Sequence, residues 1–211
     1  MIKDLPFDLK EAELQLFESL SKSFISKKSS RLSVDLLFEG LKITPIVFRT
    51  ARKFIESGTD IKILFSDFGS CALAQRDYPE FKDSIYTFKD YIGSDQLTNI
   101  ETALFVVSPE PYDFDQFSLL AEKTNLLIVM FNGRLEDTAV GIGSVGRDRR
   151  TKFISSWSKS YMLQPLSKGA LMYHSDVGWQ LFKYTNIGYR KIKTYNIRPD
   201  EDIINIDLLE L

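Results

Sequence analysis

"ALFVVSPEPYDFDQFSLLAEKTNLLIVMF", Ala103–Phe131, decides the fold class. Its ends are short continuous apolar runs, Ala103–Val107 and Leu126–Phe131, the mark of strands buried on both faces of a parallel sheet. Between them a helical segment starts at Asp113 and runs through Phe117, Leu119 and Leu120. Strand, helix, strand in that order is the α/β signature, with a right-handed crossover expected.

Upstream the same alternation continues. Ile61–Phe65 reads as a strand, and "SDFGS" after it as a tight turn into a short helix, "CALAQRDY". Thr44 and Pro45 read as the cap and first-turn residue of a helix that Gly58 closes. "RLSVDLLF" alternates, with Leu32, Val34, Leu36 and Phe38 on one side, as a strand does. Near the start, Asp8 and Glu11 form a capping box ahead of Leu9, Ala12, Leu16, Leu20 and Phe24 at helical spacing.

Downstream of Trp157 the character changes. "SYMLQPL", "GALMYHS", "GWQLFKY" and "GYRKIKTY" are short aromatic-rich runs separated by Gly, Ser, Asp and Asn, an antiparallel meander. The expected fold is therefore α/β, a mostly parallel sheet with helices on both faces (Rossmann-like, three layers), extended by a C-terminal antiparallel meander. A single domain over 1–211 is expected, with a βα-alternating part at 1–157, the β extension at 158–197 and an acidic, partly mobile tail at 198–211. A second small domain is the alternative, but the meander is short for a core of its own.

Composition narrows the function. With 27 Lys+Arg against 29 Asp+Glu the formal charge is -2, so no global basic field gathers nucleic acid, and no nucleic-acid partner is expected. One cysteine, Cys71, and one histidine, His174, leave no internal disulfide and no Cys/His zinc site. No apolar run approaches the roughly 18–20 residues that span a bilayer. The opening "MIKDLPFDLKEAE" lacks the apolar core of a signal peptide, so a soluble chain in a reducing compartment is expected.

Three corners carry candidate chemistry. In "VGIGSVGRDRR", Gly141, Gly143 and Gly146 spell G-x-G-x-x-G, but the run follows the fourth strand and no acidic residue stands between Thr151 and Asp176 to take a ribose hydroxyl. What remains is a helix beginning near Arg147, whose N-terminus with Arg147, Arg149 and Arg150 suits an anion or acidic partner. The same arginines could instead form a solvated face or pair with Glu136, Asp137 and Asp148. In "SDFGSCALAQRD", Asp67 stands at a strand end, where ligands of open α/β sheets gather, or serves as a helix cap; Arg76 and Asp77 lie at the far end of that helix. In "FNGRLED", Asn132-Gly133 is a turn and Arg134 projects from it. If the strand ends adjoin, Asp67, Asn132, Arg134 and Arg147 form either a site or a structural ion-pair network. Cys71 in "CALA" reads as a small buried residue, His174 has no triad partner in the sequence, and Asp113 and Asp115 read as first-turn helix acids.

The ordered stretches "LPFDLKEAELQ", "LFSDFGSCALAQRDY", "VGIGSVGRDRRTKFISSW", "SYMLQPL" and "GWQLF" resemble the domain of unknown function found across cyanobacteria and plastids, the family that includes low photosystem II accumulation protein 3. In plants that domain also resembles a segment fused behind an adenylate kinase. The resemblance runs from Leu5 to Ile197 and places the family's recurring positions on Asp67, Gly69, Ala72, Ala74, Arg76 and Asp77. Further positions fall on Asn132, Arg134, Gly143, Gly146, Arg147, Arg150, Phe153, Tyr161, Pro165 and Trp179. Gly133 departs from the proline common there, and Tyr78 from a tryptophan.

The resemblance transfers no catalytic residue and no cofactor. It implies a non-enzymatic factor for photosystem II assembly, cytoplasmic and peripheral on the cytoplasmic face of the thylakoid membrane, with a photosystem II subunit or a membrane insertase as protein partner. The competing expectation is a small-molecule or nucleotide-phosphate enzyme that uses the strand-end crevice.

Overall fold

The two apolar runs lie side by side as parallel strands in a computed structural model that describes residues 4–94, 102–136 and 144–209. In chain order the elements begin with α1 (Leu9–Ser26), β1 (Arg31–Leu36), α2 (Thr44–Glu56), β2 (Asp60–Phe65) and α3 (Phe68–Asp77). β3 (Ile85–Thr87), α4 (Phe88–Ile92), β4 (Thr102–Val107), α5 (Phe114–Lys123), β5 (Leu127–Phe131) and α6 (Ser144–Ser155) follow. The chain ends with β6 (Ser158–Leu166), β7 (Gly169–His174), β8 (Gly178–Thr185), β9 (Gly188–Tyr195) and α7 (Glu201–Leu209). The strands lie in the order β3-β2-β4-β5 in one compact unit and β6-β7-β8-β9 in another.

Contacts divide the chain into two compact units. One comprises Lys28–Ser33 and Lys42–Ser158, the other Met1–Lys27, Val34–Leu41 and Lys159–Leu211.

In the first unit β2, β3, β4 and β5 run parallel, with Ile63 opposite Phe105 and Val107 opposite Phe131. All six residues of β4 are buried, as an apolar run without alternation requires. Leu64, Leu104, Val106, Ile128 and Met130 point to one face, against Phe88 and Tyr91 of α4, Phe114, Phe117 and Leu120 of α5 and Phe153 of α6. The other face meets α2, where the Phe54 ring lies edge-on to Phe105 at 5.9 Å, and Phe105 in turn meets Phe131 at 5.1 Å. Helices therefore cover both faces. The start of β1 joins this unit as Ile128 donates its N–H to the Ser30 carbonyl (2.8 Å).

In the second unit β6 to β9 form the antiparallel meander, pairing Tyr161 with His174, Leu171 with Leu181 and Trp179 with Tyr195. α1 buries Ala12, Leu16 and Leu20, and its Ser19 hydroxyl donates to the Ser160 carbonyl (2.5 Å). Opposite, Ile204 and Leu208 of α7 pack on Met162, Leu171, Trp179 and Leu181. Asp207 of α7 accepts hydrogen bonds from Lys193 (2.7 Å) and from the Tyr195 hydroxyl (2.6 Å). The end of β1 belongs here, where Leu37 donates its N–H to the Leu163 carbonyl (2.9 Å).

Several local expectations change. Thr44 is the first helical residue of α2 and not its cap; Ile43 holds the cap position without a side-chain bond, and Pro45, whose missing N–H costs nothing there, sets the first turn. α6 begins at Ser144, three residues before Arg147, so Gly146 sits inside its first turn. The acidic tail is a helix, because Glu201 and Asp202 fall where a helix dipole favours carboxylates and Asp200 accepts the Ile203 N–H (2.9 Å).

Candidate functional site

Parallel strands bring their C-terminal ends to one edge, and the exits from β2, β4 and β5 share it. Leaving β4, Ser108 takes a left-handed backbone (φ 45), and leaving β5, Asn132 does the same (φ 48). Neither is glycine, so surrounding bonds must hold them there. They do: Ser108 donates its N–H to the Phe131 carbonyl (2.8 Å) and Arg134 donates its own to the Pro109 carbonyl (2.8 Å). The two exit loops are thus tied to each other through backbone hydrogen bonds. Gly133 between them leaves the space that the Met130 thioether fills.

Asp67 leaves β2 as the N-cap of α3, and its Oδ1 accepts the Ser70 N–H (2.8 Å). Hydrogen bonds from the Ser70 side chain first, then from its backbone, hold this carboxyl below the usual carboxylate range. A Cβ at Gly69 would stand 3.1 Å from the same oxygen, so glycine keeps the carboxylate's path clear. In the loop after β4, the Tyr112 phenol is pushed up chiefly by the neighbouring Asp113 carboxylate. Asp113, read as a first-turn acid, holds the cap position of α5, and its carboxylate accepts the Glu110 N–H (2.9 Å).

The arginines of α6 divide by task. Arg149 donates to Asp115 (3.1 Å) and to the Ser118 hydroxyl (2.8 Å). Arg150 donates to the Leu135 carbonyl (3.0 Å) and lies 4.5 Å above the Phe114 ring. Arg149 fastens α6 to α5, and Arg150 fastens it to α5 and to the loop after β5. Among the described residues, the exposed side chains of Arg147 and Arg134 make no hydrogen bond or ion pair, so two guanidinium groups remain open to solvent.

Asp67, Asn132 and Arg134 therefore stand at one edge, and Arg150 ties α6 to the Leu135 end of the same loop. Arg76 and Asp77 do not join them: they pair with each other at 2.8 Å, and ten residues of helix carry Asp77 about 15 Å from Asp67. Gly141 and Gly143 lie outside the described residues, and Gly146, inside α6, is half-buried. Sequence reasoning missed the exposed rings of the edge, Phe68 (65%) beside Asp67 and Tyr112 (82%). The available signal was an aromatic residue placed directly after a cap, where a core role is hard to satisfy.

The remaining reactive groups lie elsewhere. Cys71 is buried, and burial first, then Asp90 and Asp67, push its thiol up, away from the reactive thiolate. His174 is fully buried, and its Nδ1 accepts the Asp176 N–H (3.2 Å), which places the ring proton on Nε2. Among the described residues no group of three His, Cys, Asp or Glu side chains is placed to hold a metal, and no helix is long and apolar enough to cross a membrane.

Fold and edge together define a mixed α/β protein whose polar and aromatic strand exits are built from interlocked loops. The chain belongs to the family described as Domain of unknown function (DUF1995), whose profile matches residues 6–205. No curated protein matches the chain.

Proposed function

We propose that this protein is a non-enzymatic factor that helps photosystem II assemble or accumulate. It docks a thylakoid membrane protein, either a photosystem II subunit or a membrane insertase, while peripheral on the cytoplasmic face. The likeness of its motifs to the family that includes low photosystem II accumulation protein 3 supports the physiological part of this reading. The observation that carries the docking part is the strand-end edge, where the open guanidinium group of Arg134 accompanies exposed Phe68 and Tyr112; exposed Arg147 stands three residues before Arg150, which ties α6 to the Leu135 end of the same loop. Arginine and aromatic side chains are the residues enriched at protein interfaces and at their hot spots. Burial of Cys71 and His174 takes the chain's most versatile nucleophile and base away from solvent, in keeping with binding in preference to catalysis.

The test is capture from detergent-solubilised thylakoids by the wild-type chain and by an Arg134→Glu/Arg147→Glu variant. A photosystem II subunit or insertase is expected with the wild type, and about tenfold less with the variant at an unchanged melting temperature. Recovery of neither class, together with normal photosystem II levels in a deletion strain, overturns the reading. A rise in melting temperature with phosphate-bearing metabolites would favour a small-ligand enzyme at the same edge, since a ligand that binds only the folded chain stabilises it.

A further inference from the structure

The β8–β9 hairpin carries a residue that its turn does not call for. Thr185 faces Gly188 across the strands, leaving Asn186 and Ile187 as the connection, and Gly188 takes φ 110. Turns favour Gly, Asn, Asp and Ser for conformational reasons, none of which applies to isoleucine. Yet Ile187 stands there 97% exposed, with Tyr184 and Tyr189 exposed on either side and their rings 5.1 Å apart. The Thr185 hydroxyl donates to the Gly188 carbonyl (2.7 Å), so the tip is a built turn that holds its apolar side chains outward.

Behind the tip stand cations. Lys183 and Arg190 face each other directly across the strands, an arrangement that repels in isolation. Lys191 follows on β9, and the exposed Lys168 is brought alongside because its carbonyl accepts the Tyr184 N–H (2.8 Å). From Val177 to Pro199 the chain has five cations, Lys183, Arg190, Lys191, Lys193 and Arg198, and no acid, although its net charge is -2. Lys193 is engaged by Asp207, and Arg198 lies over the Trp179 ring (5.7 Å). Among the described residues, Lys168, Lys183, Arg190 and Lys191 have no acidic partner. Lysines on β9 could serve only to keep an edge strand from pairing with another chain. That leaves Lys183 on β8, its opposition to Arg190, and the exposed isoleucine unexplained.

We propose that this hairpin tip binds the surface of an anionic lipid bilayer, with Ile187, Tyr184 and Tyr189 entering the headgroup boundary and Lys168, Lys183, Arg190 and Lys191 meeting anionic headgroups. Dimensions agree: three extended residues set Arg190 about 10 Å behind Ile187, and interfacial segments bury their apolar face about 5–10 Å deep. Tyrosine suits the interface because its ring is apolar and its hydroxyl wet. The counter-charge missing from the hairpin is the one such a membrane supplies. This inference does not depend on protein docking at the strand-end edge, and its test contains no protein partner.

The full chain is floated with protein-free vesicles of phosphatidylglycerol in phosphatidylcholine, and with phosphatidylcholine alone. Binding to the anionic vesicles, weakening with salt, is expected. Arg190→Glu should reduce it on the order of tenfold to thirtyfold, reversal being a change of two charges at about fivefold each. Ile187→Asp should reduce it on the order of tenfold, whereas Arg190→Lys retains it, and all three variants should melt as the wild type does. No binding at low salt, equal binding to neutral vesicles, or binding indifferent to Ile187→Asp and Arg190→Glu overturns the proposal.

Discussion

Asp67 shows how one side chain can serve stability and position together. Its carboxylate closes the first turn of α3 while its location marks the exit of β2. Asp67→Ala is expected to cost about 1 kcal/mol in urea unfolding, and Asp67→Asn much less, because asparagine also accepts the Ser70 N–H. The pH dependence has a definite sign. The folded carboxyl titrates below its unfolded value, so its contribution is full above the ordinary value of about 3.9 and is lost as pH falls through the folded one. Stability measured through that window should fall more steeply for the wild type than for Asp67→Ala; parallel curves would mean that Ser70 does not select the charged form. Tyr112, by contrast, is 82% exposed, so truncating it should leave stability nearly unchanged.

α6 is bound to its unit by a ring cluster as well as by its arginines. Phe153 meets Phe114 at 5.5 Å, Phe117 at 5.6 Å and Trp157 at 5.7 Å. Phe153→Ala is expected to lose about 3–5 kcal/mol of unfolding free energy; a loss below about 1 kcal/mol would show that the cluster collapses around the gap. Much of this architecture was legible beforehand, for physical reasons. β4 and β5 are continuous apolar runs, and α1 has Asp8 as the cap that accepts the Glu11 N–H (2.8 Å), signals that survive without tertiary context; the Glu11 carboxylate, however, accepts the Phe7 N–H (2.6 Å) and not that of Asp8, so the expected capping box is half made. The three-residue strand β3 is too short to carry a pattern, and the sequence of α7 reads as a tail because its first-turn acids look like solvated charge. At the candidate site, Asp67 and Arg134 could be placed by the strand ends they follow. The left-handed Ser108 could not, because its conformation comes from a bond to Phe131, a residue of another strand. Nor could the roles of Arg149 and Arg150 be told from that of Arg147, since Asp115, Ser118 and Leu135 distinguish them only after folding.

The division into two units cuts across the order of the chain. The meander unit gathers α1, the end of β1 and everything from Lys159 onward, so no single break in the backbone separates it from the other. A fragment ending at Ser158 keeps α1 but lacks β6 and β7, leaving Leu16 and Leu20, both fully buried in the intact chain, without their packing partners. It should bind a hydrophobic dye and lack a sharp thermal transition for α1; a fragment as dye-inert and cooperative as the full chain would show that α1 has other support. Synthesis meets the same geometry in time. Ser19 waits for Ser160, 141 residues later, which at about 5–20 residues per second is a delay of about 7–28 s. For that interval the ribosome displays a finished amphipathic helix with nothing to cover it, and a chaperone that recognises such helices has its opportunity there, before the last strands emerge.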